Sequence, residues 1–157
     1  MGLNTPKIID VDQHIPAVLV DSALELWNQS CKQSWIPISG PSMQPALQDC
    51  DLVQVQHGPV RLRRGDIIVF RSENIIVVHR ILRIYQQGGN IHYLTKGDNS
   101  NNPDALVASA QVIGRVDAIS RDGRHMSLQC FPLRARNWLI GTSAWIFLKF
   151  RKLINSK

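Results

Sequence analysis

The chain has 157 residues, 44% of them hydrophobic and 19% charged, with a formal net charge of +6. That length predicts a single domain whose core needs no metal or disulfide support, and the basic balance suits an acidic surface, either anionic lipid or nucleic acid. Cys31, Cys50 and Cys130 match no zinc-ligand spacing and leave one thiol over in any disulfide scheme, so they read as buried packing residues.

Residues 1–15 carry Asp10, Asp12 and Lys7 but no apolar run, so neither a secretory signal peptide nor a membrane span is expected within them. From Pro16 to Trp35 the residues Leu19, Ala23, Leu26, Trp27 and Cys31 recur at helical spacing, with Pro16 suited to a first turn. The spacing predicts an amphipathic helix that packs on its own domain, because Asp21 and Glu25 would repel anionic lipid. Residues 1–35 are therefore read as an amino-terminal tail and helix.

The helix leads into Ile38-Ser39-Gly40-Pro41-Ser42-Met43-Gln44-Pro45-Ala46-Leu47. Gly40 permits backbone angles that a Cβ forbids, and Pro41 and Pro45 deny the segment to helix or central strand, so Ser42 is held on a stiff loop. Taken alone, this is an ordinary Gly/Pro/Ser connection. Beyond it the pattern turns to short Ile- and Val-rich runs: Leu52 to Gln56, Asp66 to Phe70, Ile75 to Tyr85, Ile91 to Thr95 and Gln111 to Ile119, bounded by Gly, Pro and Asn turns. Residues 36–132 are read as a mainly β, mostly antiparallel domain. The run from Ile75 is apolar on both faces over its first half, which predicts a central strand, and it carries His79.

Residues 133–157 return to helical character from Leu133 to Ile154. The twelve uncharged residues from Asn137 to Leu148 make a helix of roughly 18 Å, against a hydrocarbon core of about 30 Å. Trp138, Trp145 and Phe147 beside Lys149, Arg151 and Lys152 suit an amphipathic helix at an anionic membrane surface; the other reading is a helix docked on the sheet. Basic residues cluster at Arg61, Arg63 and Arg64 and again around this segment, at Arg134, Arg136 and the lysines and arginine after it. Their company favours lipid, so no nucleic-acid partner is expected.

A catalytic serine needs a base within hydrogen-bond reach and a group to orient that base. His14 lies in the polar tail, His57 and His125 adjoin glycine turns, and His92 is on a short edge-like strand; His79 alone sits inside a strongly apolar run. Asp98 and Asp104 follow in the turn-rich segment from Thr95 to Asp104. No metal or nucleotide motif occurs, and no cofactor is expected.

The order of these motifs carries more than any one of them. Gly-Pro-Ser42-Met43-Gln-Pro, Arg64-Gly65-Asp66-Ile67-Ile68-Val69-Phe70, Val78-His79-Arg80-Ile81, Thr95-Lys96-Gly97-Asp98-Asn99 with Asp104 six residues on, and Ile113-Gly114-Arg115-Val116 together resemble the signal peptidase I family. The resemblance covers about residues 36 to 118. His79 fills a position that is lysine in most bacterial members, so the closer match is to the endoplasmic-reticulum and archaeal type. It implies a signal-peptidase-like β core and a serine endopeptidase that cuts a signal or leader peptide after small residues. In that carry-over Ser42 is the nucleophile, His79 the general base, Asp104 the orienting acid and Asp98 a second carboxylate shaping the site. The Ser42 N–H is the expected oxyanion donor. Gly40 stands where some relatives add a serine hydroxyl, which leaves the second donor open. Cys50-Asp51 replaces the usual Gly-Asp, and the amino-terminal span of a signal peptidase is not expected, so the protein is read as peripheral at a membrane, on a side the sequence leaves open. The rival readings are a self-cleaving or DNA-binding repressor-like relative, which would use lysine and a helix-turn-helix, and a non-catalytic module on the same core.

Overall fold

The computed structural model describes residues 33–73, 75–129 and 137–147. In chain order these contain β1 (Gln33–Pro37), β2 (Leu52–His57), β3 (Ile67–Ser72), β4 (Ile75–Gln87), β5 (Asn90–Lys96), β6 (Val107–Ala108), a short 3-10 turn (Ser109–Gln111), β7 (Val112–Arg121) and β8 (Arg124–Ser127). A helix, α1, spans 137–147. The strands form one eight-stranded sheet in the order β1-β2-β7-β3-β4-β5-β6, with β8 on β7. Every pairing is antiparallel. The protein is mainly β, and the five runs read from the sequence are its β2, β3, β4, β5 and β7, with ends displaced by at most two residues.

β3 lies between two apolar clusters. Side chains alternate across a strand, so Ile67 and Val69 pack with Met43, Leu47, Val53, Val55, Val116 and Ile119, while Ile68 and Phe70 face Ile81, Tyr93 and Val107. The first cluster takes Met43 and Leu47 from the serine loop, so that loop is anchored by burial on both sides of Pro45. The central, doubly buried strand is β3 rather than the first half of β4: Ile75 and Ile76 are 64% and 45% exposed. The reason is pairing, because β5 meets β4 only from Arg80 onward, leaving one edge of Ile75–His79 uncovered by any described strand.

Two further expectations are corrected. Gln33 to Trp35, read as the end of a helix, form the start of β1, which pairs with β2 through Trp35↔Gln54 and Pro37↔Leu52. Tertiary pairing overrides the helical spacing here, and a sheet edge tolerates a Pro that cannot donate. The expected helix before Gln33 lies outside the described residues, as do Cys31 and Cys130. Cys50 is exposed rather than buried and sits at φ 67, in the left-handed region that glycine adopts without strain. The glycine that the resemblance leads one to expect here would take this backbone without strain, so the Cys50-Asp51 departure falls on turn geometry.

α1 lies on the loop entering β3. A Cβ on Gly65 would come within 2.7 Å of the Asn137 and Trp138 backbones. That glycine gives the helix its seat. Trp145 lies against two guanidinium groups, Arg64 at 5.5 Å and Arg83 at 5.0 Å from its ring centre, a cation–π arrangement that fixes this face. Trp138, Leu139, Ile146 and Phe147 are exposed on α1, Phe147 by 67%. No helix among the described residues is long and apolar enough to cross a membrane. Of the helix expected from Leu133 to Ile154, the parts outside 137–147 fall beyond the described residues.

Candidate active site

The serine loop closes on itself. Ile38 N donates to Asp51 O and Cys50 N to Ile38 O, pinching the two ends, while Leu47 N reaches back to Met43 O. The Gln44–Pro45 peptide is cis. Asp51, almost fully buried, accepts from the Gln48 amide and, at 2.8 and 2.7 Å, from Arg121 on β7. The Arg121 hydrogen bond, offset by burial and helped by the Gln48 amide and the Arg121 charge, holds the Asp51 carboxyl below its usual value. The loop is thus bolted to the sheet by apolar anchors on one side and a forked ion pair on the other.

His79 sits in β4 with its ring edge toward Phe70, the centroids 6.3 Å apart. Its Nε2 is 3.2 Å from Ser42 Oγ and its Nδ1 2.7 Å from Asp104 Oδ2. An ionised carboxylate only accepts, so the proton belongs on Nδ1, and Nε2 then offers its lone pair to the Ser42 hydroxyl. Three residues separated by 37 and 25 positions along the chain are in this way joined in one relay.

Asp104 sits in the connection between β5 and β6, and Thr95 grips it twice. Its amide donates to Thr95 O at 2.9 Å, and its Oδ2 accepts from Thr95 Oγ1 at 2.7 Å. Burial pushes its carboxyl up, but the hydrogen bonds from His79 and Thr95 and the charges of His79 and Lys96 outweigh it, so the net shift is downward. The group is kept as an anion.

Asp98 does not join the relay. Both its oxygens accept from Arg80, at 2.7 and 2.6 Å, and Arg80, with no exposed surface, also donates to Gly65 O at 2.9 Å. Neighbours on a strand point to opposite faces, so His79 and Arg80 place one carboxylate each, Asp104 in the relay and Asp98 behind it. Lys96, buried beside them, donates to the carbonyls of Gly97 at 2.8 Å and Ser100 at 2.6 Å, closing the turn. Desolvation lowers the Lys96 ammonium from its ordinary value, with Asp98 and Asp104 opposing. The turn is stitched to the serine loop where Asn99 N donates to Ser42 O at 2.8 Å and Asn99 Nδ2 to Pro41 O at 3.2 Å.

Thr95, Lys96 and Arg80 stand in the motifs read from the sequence, yet no role was legible for them there. The available signal was polar residues set within or at the end of apolar strand runs, whose burial would demand partners. No group of three or more His, Cys, Asp or Glu side chains able to hold a metal ion occurs among the described residues.

A loop-borne serine, a strand-borne histidine and a carboxylate on a β scaffold form the layout of a serine peptidase, and comparison with known proteins places the chain in that class. Residues 7–117 match the Peptidase S24-like family, and the chain belongs to it. It is 32% identical over 99 residues to the human "Signal peptidase complex catalytic subunit SEC11C", covering 56% of this chain and 50% of that protein. The Plasmodium falciparum "Signal peptidase complex catalytic subunit SEC11" is 31% identical over 94 residues, 55% of this chain and 50% of the relative. A human "Putative signal peptidase complex catalytic subunit SEC11B" is 37% identical over 93 residues, 53% and 55% of the two chains. The chain spans about half the length of the curated relatives it matches. The signal peptidase I-like resemblance read from the motifs is thus met by relatives of that kind.

Proposed function

We propose that this chain is a signal-peptidase-type serine endopeptidase that cuts a signal or leader peptide after small residues, with Ser42, His79 and Asp104 as its working residues. The observation that carries the reading is the relay itself, Ser42 Oγ to His79 Nε2 at 3.2 Å and His79 Nδ1 to Asp104 Oδ2 at 2.7 Å. His79 takes the Ser42 proton as Oγ attacks the scissile carbonyl, forming an acyl-enzyme through a tetrahedral intermediate, and gives that proton to the leaving amine. The same base then activates water to release the acyl group. Asp104 fixes the tautomer and balances the imidazolium. The Ser42 N–H receives the oxyanion, since Pro41 has no N–H to offer. Asp98 acts behind the site by holding Arg80, not as a reacting group.

The substrate adds as an extended strand, the mode an unpaired strand edge favours. The uncovered edge of β4 runs from Ile75 to His79 and so ends at the base. At the molecular surface, the exposed residues of α1 rest in an anionic membrane interface and hold the peptidase near membrane-borne precursors. Trp138, Leu139, Ile146 and Phe147 supply the apolar side of that contact.

Incubation with peptides carrying Ala before the cut tests the reading. Cleavage is expected in the wild type and a loss of at least about 10³-fold in Ser42→Ala or His79→Ala, because members of a triad act as a unit. Retention of the wild-type rate by Ser42→Ala overturns the nucleophile assignment.

A further inference from the structure

We propose that Thr95 is a positioning residue of this peptidase, its hydroxyl holding Asp104 Oδ2 in register with His79 Nδ1; the proposal rests on the catalytic reading of Ser42, His79 and Asp104 given above. Thr95 occupies the penultimate position of β5, opposite Ile81, and has no exposed surface. A hydroxyl so placed must find a partner, and Oδ2 of Asp104 lies 2.7 Å away. The same residue's carbonyl takes the Asp104 amide at 2.9 Å. Asp104 belongs to an irregular connection, not to a strand or helix. Side chain and main chain are therefore both tied to the rigid end of β5, which gives a loop carboxylate the precision of a strand residue.

The two donors converge on one atom. Oδ2 accepts from Thr95 Oγ1 and from His79 Nδ1, each at 2.7 Å, which two lone pairs allow. The other charged groups around the carboxylate are Lys96, which ends β5, and behind it the Arg80–Asp98 pair. Of these, none donates to Oδ2, so the Thr95 hydroxyl sets its direction. When His79 becomes an imidazolium, the Nδ1–H···Oδ2 bond tightens, and a carboxylate already held at the right angle needs no reorganisation.

Thr95→Val keeps the shape and replaces the hydroxyl with a methyl. The expected result is a kcat lowered by about 10–100-fold with KM within about twofold, the range for loss of a supporting partner behind a working group. The acid limb of the kcat/KM profile should move to higher pH, because a carboxylate with one donor fewer holds the proton on His79 more tightly. Thr95→Ser keeps the hydroxyl and should restore both the rate, to within about threefold, and the profile. Thr95→Ala is the second hydroxyl-free variant, so either one that unfolds at the wild-type temperature is decisive. A folded Val or Ala variant with wild-type kcat and an unmoved acid limb overturns the proposal. So does a Ser variant as slow as Val, which would assign the effect to packing of the methyl. Ser42→Ala measured alongside separates the two readings: if it is inactive while Thr95→Val is unimpaired, the positioning role falls alone, and if it cleaves normally, the catalytic assignment falls first.

Discussion

At Gly97 the site has no room for another atom. A Cβ there would lie 2.6 Å from the Ser42 carbonyl oxygen, 2.9 Å from His79 Nε2 and 2.5 Å from Ser100 Oγ. Gly97→Ala is therefore expected to push the ring off the hydroxyl and lower cleavage by about 10²-fold, the scale of an ångström's misplacement, while far-ultraviolet circular dichroism stays that of the wild type. Asp98 and Asp104 are expected to fail differently. Asp98→Ala leaves the guanidinium of Arg80 buried without its partner, at roughly 3–5 kcal/mol, whereas Asp104→Ala removes a partner from the relay. Urea unfolding of the two variants distinguishes them: Asp98→Ala should lose most of its stability, whereas Asp104→Ala, which strands the Thr95 hydroxyl rather than a guanidinium, should lose less, about 1–3 kcal/mol, and yet be almost inactive. Equal midpoints would show that the Arg80 pair is dispensable. Six residues apart in one polar turn, the two acids look alike in the sequence. What separates them is a strand 18 and 25 residues away, where His79 and Arg80 point to opposite faces. Residue type alone left Ser42 in an ordinary-looking loop and His79 as one histidine in an apolar run; the order of the motifs and the resemblance they carry singled out these two and Asp104, while the contacts that hold each carboxylate were decided by folding.

Elements were legible where hydrophobic period and turn chemistry agreed. β2, β3, β4, β5 and β7 have both, and several of their ends fall beside a glycine, as at Gly58, Gly88 and Gly97. β8 has a hairpin signal in Asp122-Gly123, whose φ values of 50° and 75° fit a type I′ turn, but its four residues are all exposed and show no apolar alternation. β1 was obscured by a helical pattern running into it. The serine loop, in turn, depends on an element far along the chain, since Arg121 at the end of β7 holds Asp51. Asp51 titrates lower in the folded chain than in the unfolded one. The ion pair therefore stabilises the fold at neutral pH, and that contribution is lost as pH falls from about 5 toward the folded value. Asp51→Asn should cost about 1.5–3 kcal/mol at pH 7, the worth of a hydrogen bond to a charged group. The gap from the wild type should narrow on acidification, as urea unfolding at pH 7 and at about pH 3, below the unfolded value, would show. A gap that is constant with pH would mean that the charge on Asp51 is not what matters.

Over the whole molecule, a net charge of +6 meets a helix that is docked along one side and apolar on the other. The two sequence readings of this helix, membrane contact and docking on the sheet, are compatible, because the docked contacts are made through Asn137, Gly141 and Trp145 while Trp138, Leu139, Ile146 and Phe147 stay exposed. Removing the segment would confound anchoring with stability, since its backbone fills the space above Gly65. Point changes on the exposed side avoid this. Trp138→Ser combined with Phe147→Ser is expected to leave peptide cleavage in solution and the thermal midpoint unchanged, surface substitutions away from packed contacts being worth about 0.5 kcal/mol or less. The same protein should lose at least about tenfold in affinity for vesicles containing phosphatidylserine, because each buried aromatic ring contributes on the order of 1.5–3 kcal/mol when withdrawn from water. Arg61 and Arg63, exposed in the segment that leads to Gly65, should make wild-type binding weaken as salt rises, at about 1 kcal/mol per basic residue near an anionic surface. Vesicle binding that is indifferent both to the double substitution and to salt would remove the membrane from the account and leave α1 as a brace for the loop that carries Gly65, whose carbonyl steadies Arg80 behind the relay.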